Sequence, residues 1–122
     1  MMDHVVVRVK DFDRSRRFYV AALAPLGYKV AREFPGWAGF MRGEKADFWI
    51  ATETPVTTGL HVAFACAERG PVDAFHAAAM KTGGRDNGAP GLRANYHPNY
   101  YGAFVLDPDG NNIEAVCHNP KG

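Results

Sequence analysis

A shift of 57 positions lays His4-Val5 on His61-Val62, Phe18 on Phe75, Ala21-Ala22 on Ala78-Ala79 and Gly27 on Gly84. The identities are sparse, but each falls at an equivalent place in a strand, a helix or a helix stop. Each copy reads as a strand, a helix and three further strands. A chain of 122 residues that is 47% hydrophobic is one domain's worth of material. Two modules of half that size would each be marginal alone, so they must pack against something.

Residues 3–9 alternate and are β-branched, which sets Val5, Val7 and Val9 on one strand face and His4, Val6 and Arg8 on the other. Asp11 or Asp13 caps a helix carrying Phe18, Tyr19, Ala22, Leu23 and Leu26 at helical spacing, and Pro25 and Gly27 end it. Three short strands are expected over Tyr28–Phe34, Trp37–Met41 and Phe48–Thr52. After the linker Thr54–Gly59, the second copy opens with the strand Leu60–Cys66. Pro71 suits the first turn of a helix whose face is Val72, Phe75, His76, Ala79 and Met80, with Gly83-Gly84 as its stop. Gly88–Asn99 reads as loop, and Tyr100–Leu106 and Asn111–His118 as strands joined by the turn Asp107-Pro108-Asp109-Gly110. That turn lacks the spaced oxygen ligands of a calcium loop, and its role is to set the register that points Glu114 inward.

The expected fold is α+β: two βαβββ modules, 1–54 and 60–122, in one domain spanning 1–122. They would form a cupped mixed sheet with the helices outside and a concave polar face as the pocket. His4, His61 and Glu114 fall on that inner face if their strands are central. Two imidazoles and a carboxylate in strand-like runs are what a mononuclear divalent-metal site needs, and they suit zinc, iron(II), manganese, nickel or cobalt alike.

A formal net charge of +1 leaves no basic footprint for nucleic acid. No apolar run approaches membrane-spanning length and no signal-peptide pattern opens the chain, so a cytoplasmic protein is expected. Cys66 and Cys117 have strand parity opposite to His61 and Glu114, and read as packed thiols facing away from the site. His76 reads as structural, and His118 as a residue near the rim.

The residues quoted so far resemble the vicinal oxygen chelate superfamily. That group includes lactoylglutathione lyase (glyoxalase), fosfomycin-resistance thiol transferases, extradiol dioxygenases and bleomycin-binding proteins. The resemblance rests on His4, on Asp13-Arg14-Ser15-Arg16-Arg17-Phe18-Tyr19, on Leu23-Ala24-Pro25-Leu26-Gly27-Tyr28, on His61-Val62-Ala63-Phe64, and on Asp107-Pro108-Asp109-Gly110-Asn111-Asn112-Ile113-Glu114. It implies a glyoxalase-like fold with His4, His61 and Glu114 as metal ligands. A fourth ligand position falls at Trp49 or Ile50, and neither can ligate.

A His, His, Glu set without that fourth ligand is similar to the thiol transferases and dioxygenases, which leave positions open for substrate oxygens. The resulting expectation is a metal-dependent enzyme of lyase, thiol-transferase or dioxygenase type acting on a small oxygenated substrate. Its alternative is a metal-free binder of an antibiotic or other aromatic compound, with Trp37, Trp49 and the tyrosines forming the pocket. Tyr96, His97, Tyr101 and Glu114 are candidates for proton transfer, and Trp49, Arg93 and Tyr100 for holding substrate. Exposed sheet edges on so small a chain predict a homodimer, with the site closed either within one chain or across two.

Overall fold

The structure, a computed structural model, describes residues 1–120. Strand β1 (Val5–Arg8) leads into helix α1 (Phe12–Leu23), where Asp11 accepts a hydrogen bond from the Arg14 backbone N–H at 3.1 Å as the N-cap. A 3-10 turn at Ala24–Leu26 ends at Gly27, whose φ of 90° is the left-handed conformation that glycine adopts without strain. Then come β2 (Lys29–Phe34), β3 (Trp37–Met41) and β4 (Phe48–Ala51). The second module repeats the order with β5 (His61–Ala65), α2 (Arg69–Lys81), β6 (Arg85–Leu92), β7 (Tyr101–Leu106) and β8 (Asn112–Cys117). The expected end of that module at residue 122 lies outside the described residues.

The strands form two four-stranded sheets, ordered β1-β4-β3-β2 and β5-β8-β7-β6. In each, the opening strand runs parallel to the last strand of its module, and the other pairings are antiparallel. The α+β, two-module architecture is therefore as the repeat implies. The interior strands are β4 and β3 in the first sheet and β8 and β7 in the second. His4 precedes β1 and His61 opens β5, and both of those strands are sheet edges rather than central strands.

Part of the expected loop Gly88–Asn99 is also strand, since β6 runs through Gly88 and Pro90 to Leu92. An outer strand tolerates both residues, and they come with register shifts at Gly88.

One core serves both modules. Val7, Val9, Phe18, Tyr19, Phe40, Phe48 and Ile50 share a hydrophobic cluster with Phe64, Val72, Phe75, Val105 and Ile113. Helices α1 and α2 lie against one another, and Phe64 meets Phe48 and Tyr28 edge-on, each at 5.3 Å between ring centroids. Arg42 spans the boundary between the modules, donating to the Ala65 carbonyl at 2.7 Å and the Leu26 carbonyl at 3.3 Å.

The turn after β7 does more than the sequence suggested. Asp107 is 1% exposed and accepts from the Tyr19 hydroxyl at 2.5 Å, from the backbone N–H groups of Asp109 and Asn111 at 2.9 Å, and from the Asn111 side-chain amide. A buried carboxylate thereby ties the hairpin that carries β8 to the helix of the other module.

Candidate functional site

With both apolar sheet faces turned into the shared core, the opposite faces are left for solvent and ligands. The β5–β8 register sets His61 across from Asn112 and Ala63 across from Glu114, so all four side chains share the second sheet's outer face. His61 Nε2 lies 2.7 Å from Glu114 Oε1. Glu114 is 1% exposed although it stands on that outer face, with His61 and Tyr100 lying against its two oxygens.

Tyr100 donates its hydroxyl to Glu114 Oε2, and burial together with the carboxylate pushes the phenol pKa up. Tyr100 therefore keeps its proton through the neutral range. No Lys or Arg pairs with Glu114 among the described residues. The Oδ1 of Asn112 is a second buried acceptor with no hydrogen-bond partner there. A carboxylate and an imidazole are residue types that a divalent cation takes as ligands, and this carboxylate has no Lys or Arg to balance it among the described residues.

Aromatic rings extend this face. Tyr100 stacks edge-on with Tyr96 at 5.1 Å and with His118 at 5.2 Å, and His118 with His97 at 5.7 Å. Arg93 lies 5.5 Å from the centre of the Phe104 ring and donates to the Ala89 carbonyl at 2.7 Å. Tyr96, His97, Arg93 and Tyr100 are thus brought to the Glu114 face. His118 joins them, although the sequence placed it only near the rim.

Tyr101 is not brought there. Its hydroxyl donates to Asp73 at 2.6 Å and Arg69 covers its ring, both on α2. Strand alternation explains the correction: Tyr101 pairs with buried Cys117, while Gly102 and Phe104 take the Glu114 face. Cys66 and Cys117 are free thiols. Cys117 is buried in the core, as its parity implied. His76 meets Asp86 at 2.9 Å, a structural contact.

His4 stands apart from the His61–Glu114 pair. It approaches Asp3 at 2.7 Å and opens on a pocket of about 630 Å³ on the first sheet, lined also by Val6, Arg32, Phe34, Trp37 and Trp49. No group of three His, Cys, Asp or Glu side chains is placed to hold a metal within one chain, among the described residues.

The registers make the two sheets comparable position by position. Glu114 pairs with Ala63, two residues past His61, and Trp49 pairs with Val6, two residues past His4. Trp49 is therefore the counterpart of Glu114 and faces the pocket, while Ile50 is fully buried in the core. Opposite Glu114 on β7 stands Phe104, and opposite Trp49 on β3 stands Gly39. The Trp49 ring lies across Gly39, where a Cβ would come within 2.8 Å of it. Large and small residues have exchanged places between the modules, giving one sheet an aromatic floor and the other a charged one.

A model of the Glyoxalase/Bleomycin resistance protein/Dioxygenase superfamily matches residues 1–115. Among solved structures, a glyoxalase/bleomycin resistance protein from Albidiferax ferrireducens T118 is 34% identical with a TM-score of 0.81, over 96% of this chain and 98% of that one. A glyoxalase/bleomycin resistance protein/dioxygenase family enzyme from Burkholderia phytofirmans PsJN is 18% identical, with a TM-score of 0.74 over 96% and 98%. A glyoxalase I mutant from Zea mays is 24% identical, with a TM-score of 0.70 over 94% of this chain and 46% of that one. The last two share the fold. No curated protein sequence matches.

Proposed function

Because the chain belongs to the Glyoxalase/Bleomycin resistance protein/Dioxygenase superfamily, we propose that it is a glyoxalase-like enzyme using one divalent metal ion on a small oxygenated substrate. The observation that carries this reading is the buried Glu114 carboxylate 2.7 Å from His61 Nε2, with no Lys or Arg paired to it among the described residues. His61, Glu114 and His4 would hold the ion. When bound, a divalent ion polarises substrate oxygens and eases loss of a neighbouring proton. Tyr100 donates its hydroxyl to Glu114 Oε2 and so orients the carboxylate that would hold the ion. Tyr96, His97 and Arg93 bound the face where the substrate would lie. Cytoplasmic placement agrees with the two free thiols, Cys66 and Cys117.

One copy offers His61 and Glu114 on the second sheet but His4 on the first. The reading therefore includes a homodimer in which the first sheet of one copy faces the second sheet of the other. Edge strands β1 and β5 support it, because the linker bonds β1 only at Arg8, through Thr57.

Complementation tests the arrangement. His4→Ala and Glu114→Gln should each abolish stoichiometric metal. Refolding the two variants together should restore about a quarter of wild-type metal, since half the dimers are mixed and each has one intact site. A mixture that binds no more than its components, or light scattering that finds only monomer, rules the shared site out.

A second reading, a metal-free binder of an aromatic compound, is favoured by the Trp37–Trp49 corner of the first pocket, with ring centroids 6.4 Å apart at 70°. Metal analysis of untagged, reconstituted protein separates the two readings. Trp49→Glu adds a further check, because it sets a carboxylate beside His4 as Glu114 stands beside His61. As Trp49 lines a pocket, the change should cost only about 1 kcal/mol without metal, and added zinc should raise the thermal midpoint. Severe destabilisation that zinc does not relieve would contradict the pocket assignment.

A further inference from the structure

Resting on the reading that the first sheet of one copy faces the second sheet of the other across the substrate, we propose that the first sheet's outer face selects a planar aromatic molecule bearing one negative charge, its ring on Trp37 and Trp49 and its anion at Arg32. The sheet register aligns Val6, Trp49, Gly39 and Arg32 in one row across four strands. Gly39 leaves no side chain between the indole and the guanidinium, so a flat ring lying on Trp49 extends directly toward Arg32. Phe34 and Trp37 form the next row, and Trp49 meets Trp37 at 70°, which makes a corner rather than a slot. The pocket, about 630 Å³, is in the range that holds small-molecule ligands.

Charge decides which aromatic fits. Three aromatic rings alone would suit an organic cation. Here, however, Lys45 and His4 are both engaged by Asp3, while Arg32 lies 5.5 Å from the Phe34 ring centre and has no carboxylate within ion-pair distance among the described residues. Its strand neighbour Glu33 is held by Arg16 at 2.8 Å. The pocket therefore presents one uncompensated guanidinium beside an apolar floor. It repels a cation and offers a planar carboxylate a two-pronged donor.

The test is calorimetric titration of EDTA-treated full-length protein with three probes of one shape: 2-naphthoate, 2-naphthylmethanol and 2-naphthylmethylammonium. Naphthoate should bind about tenfold tighter than the alcohol, and the ammonium most weakly. Arg32→Gln, at a surface position, should erase the naphthoate advantage and leave the alcohol within about twofold. Trp49→Ala should weaken all three probes.

Equal affinities, a preference that survives Arg32→Gln, or no binding at all would overturn the proposal. Running the same titrations on Glu114→Gln protein keeps the two readings apart. Failure of the metal reading leaves these affinities intact, whereas loss of the anion preference in protein that still takes up metal removes this inference alone.

Discussion

Glu114→Gln is expected to weaken metal binding by about 100-fold or more, because the only carboxylate beside His61 among the described residues becomes a neutral amide of nearly the same volume. The fold should survive the change. Tyr100 can donate to the glutamine carbonyl as it does to the carboxylate, and the burial that leaves Glu114 1% exposed no longer encloses a charge. In the presence of EDTA the variant should therefore be at least as stable as the parent, since a buried carboxylate without a cation is costly. Calorimetric metal titration and thermal denaturation with and without EDTA check both halves. Unchanged metal affinity would remove Glu114 from the site. A large loss of stability without metal would show that the carboxylate is needed by the fold itself.

Asp107→Ala should be the most damaging polar substitution to folding, on the order of 3–5 kcal/mol. It strips the acceptor from the Tyr19 hydroxyl, the Asn111 amide and two backbone N–H groups, all in or beside a site only 1% exposed. Urea denaturation gives the value directly. Asp107→Asn, which keeps one oxygen, should fall between the two. A loss below about 1 kcal/mol in the alanine variant would mean that the apolar core alone joins α1 to the β7–β8 hairpin.

These two residues also mark how far the sequence could be read. Glu114 was legible because strand alternation and the match of His4 with His61 are local patterns, and the observed registers follow them. Trp49 rather than Ile50 faces the pocket for the same reason: one buried side chain fixes the parity of all its strand neighbours. Asp107 looked like a turn residue because its partner Tyr19 lies 88 positions away, and no periodicity records such a contact. Tyr101 was grouped with Tyr100 because a run of aromatics at a strand entrance conceals where alternation begins. The separation of His4 from His61 was the least accessible feature. It depends on how Phe48, Phe64, Tyr28 and Arg42 seat one module on the other, and neither module carries that information alone.

The bulges in the outer strands bear on what size of particle this protein can become. Register slips occur between Val30 and Arg32 on β2 and on either side of Gly88 on β6, at the margins opposite β1 and β5. A distorted margin is a poor template for another strand, and Pro90 removes a donor from one of them. The straight margins are β1 and β5, one on each sheet, and their pairings with β4 and β8 show no slip. With β2 and β6 distorted, β1 and β5 are the two margins through which copies can pair edge to edge. A two-fold arrangement that engages both margins of each copy leaves no straight edge open, whereas a contact engaging one margin at a time would leave the other free for the next copy.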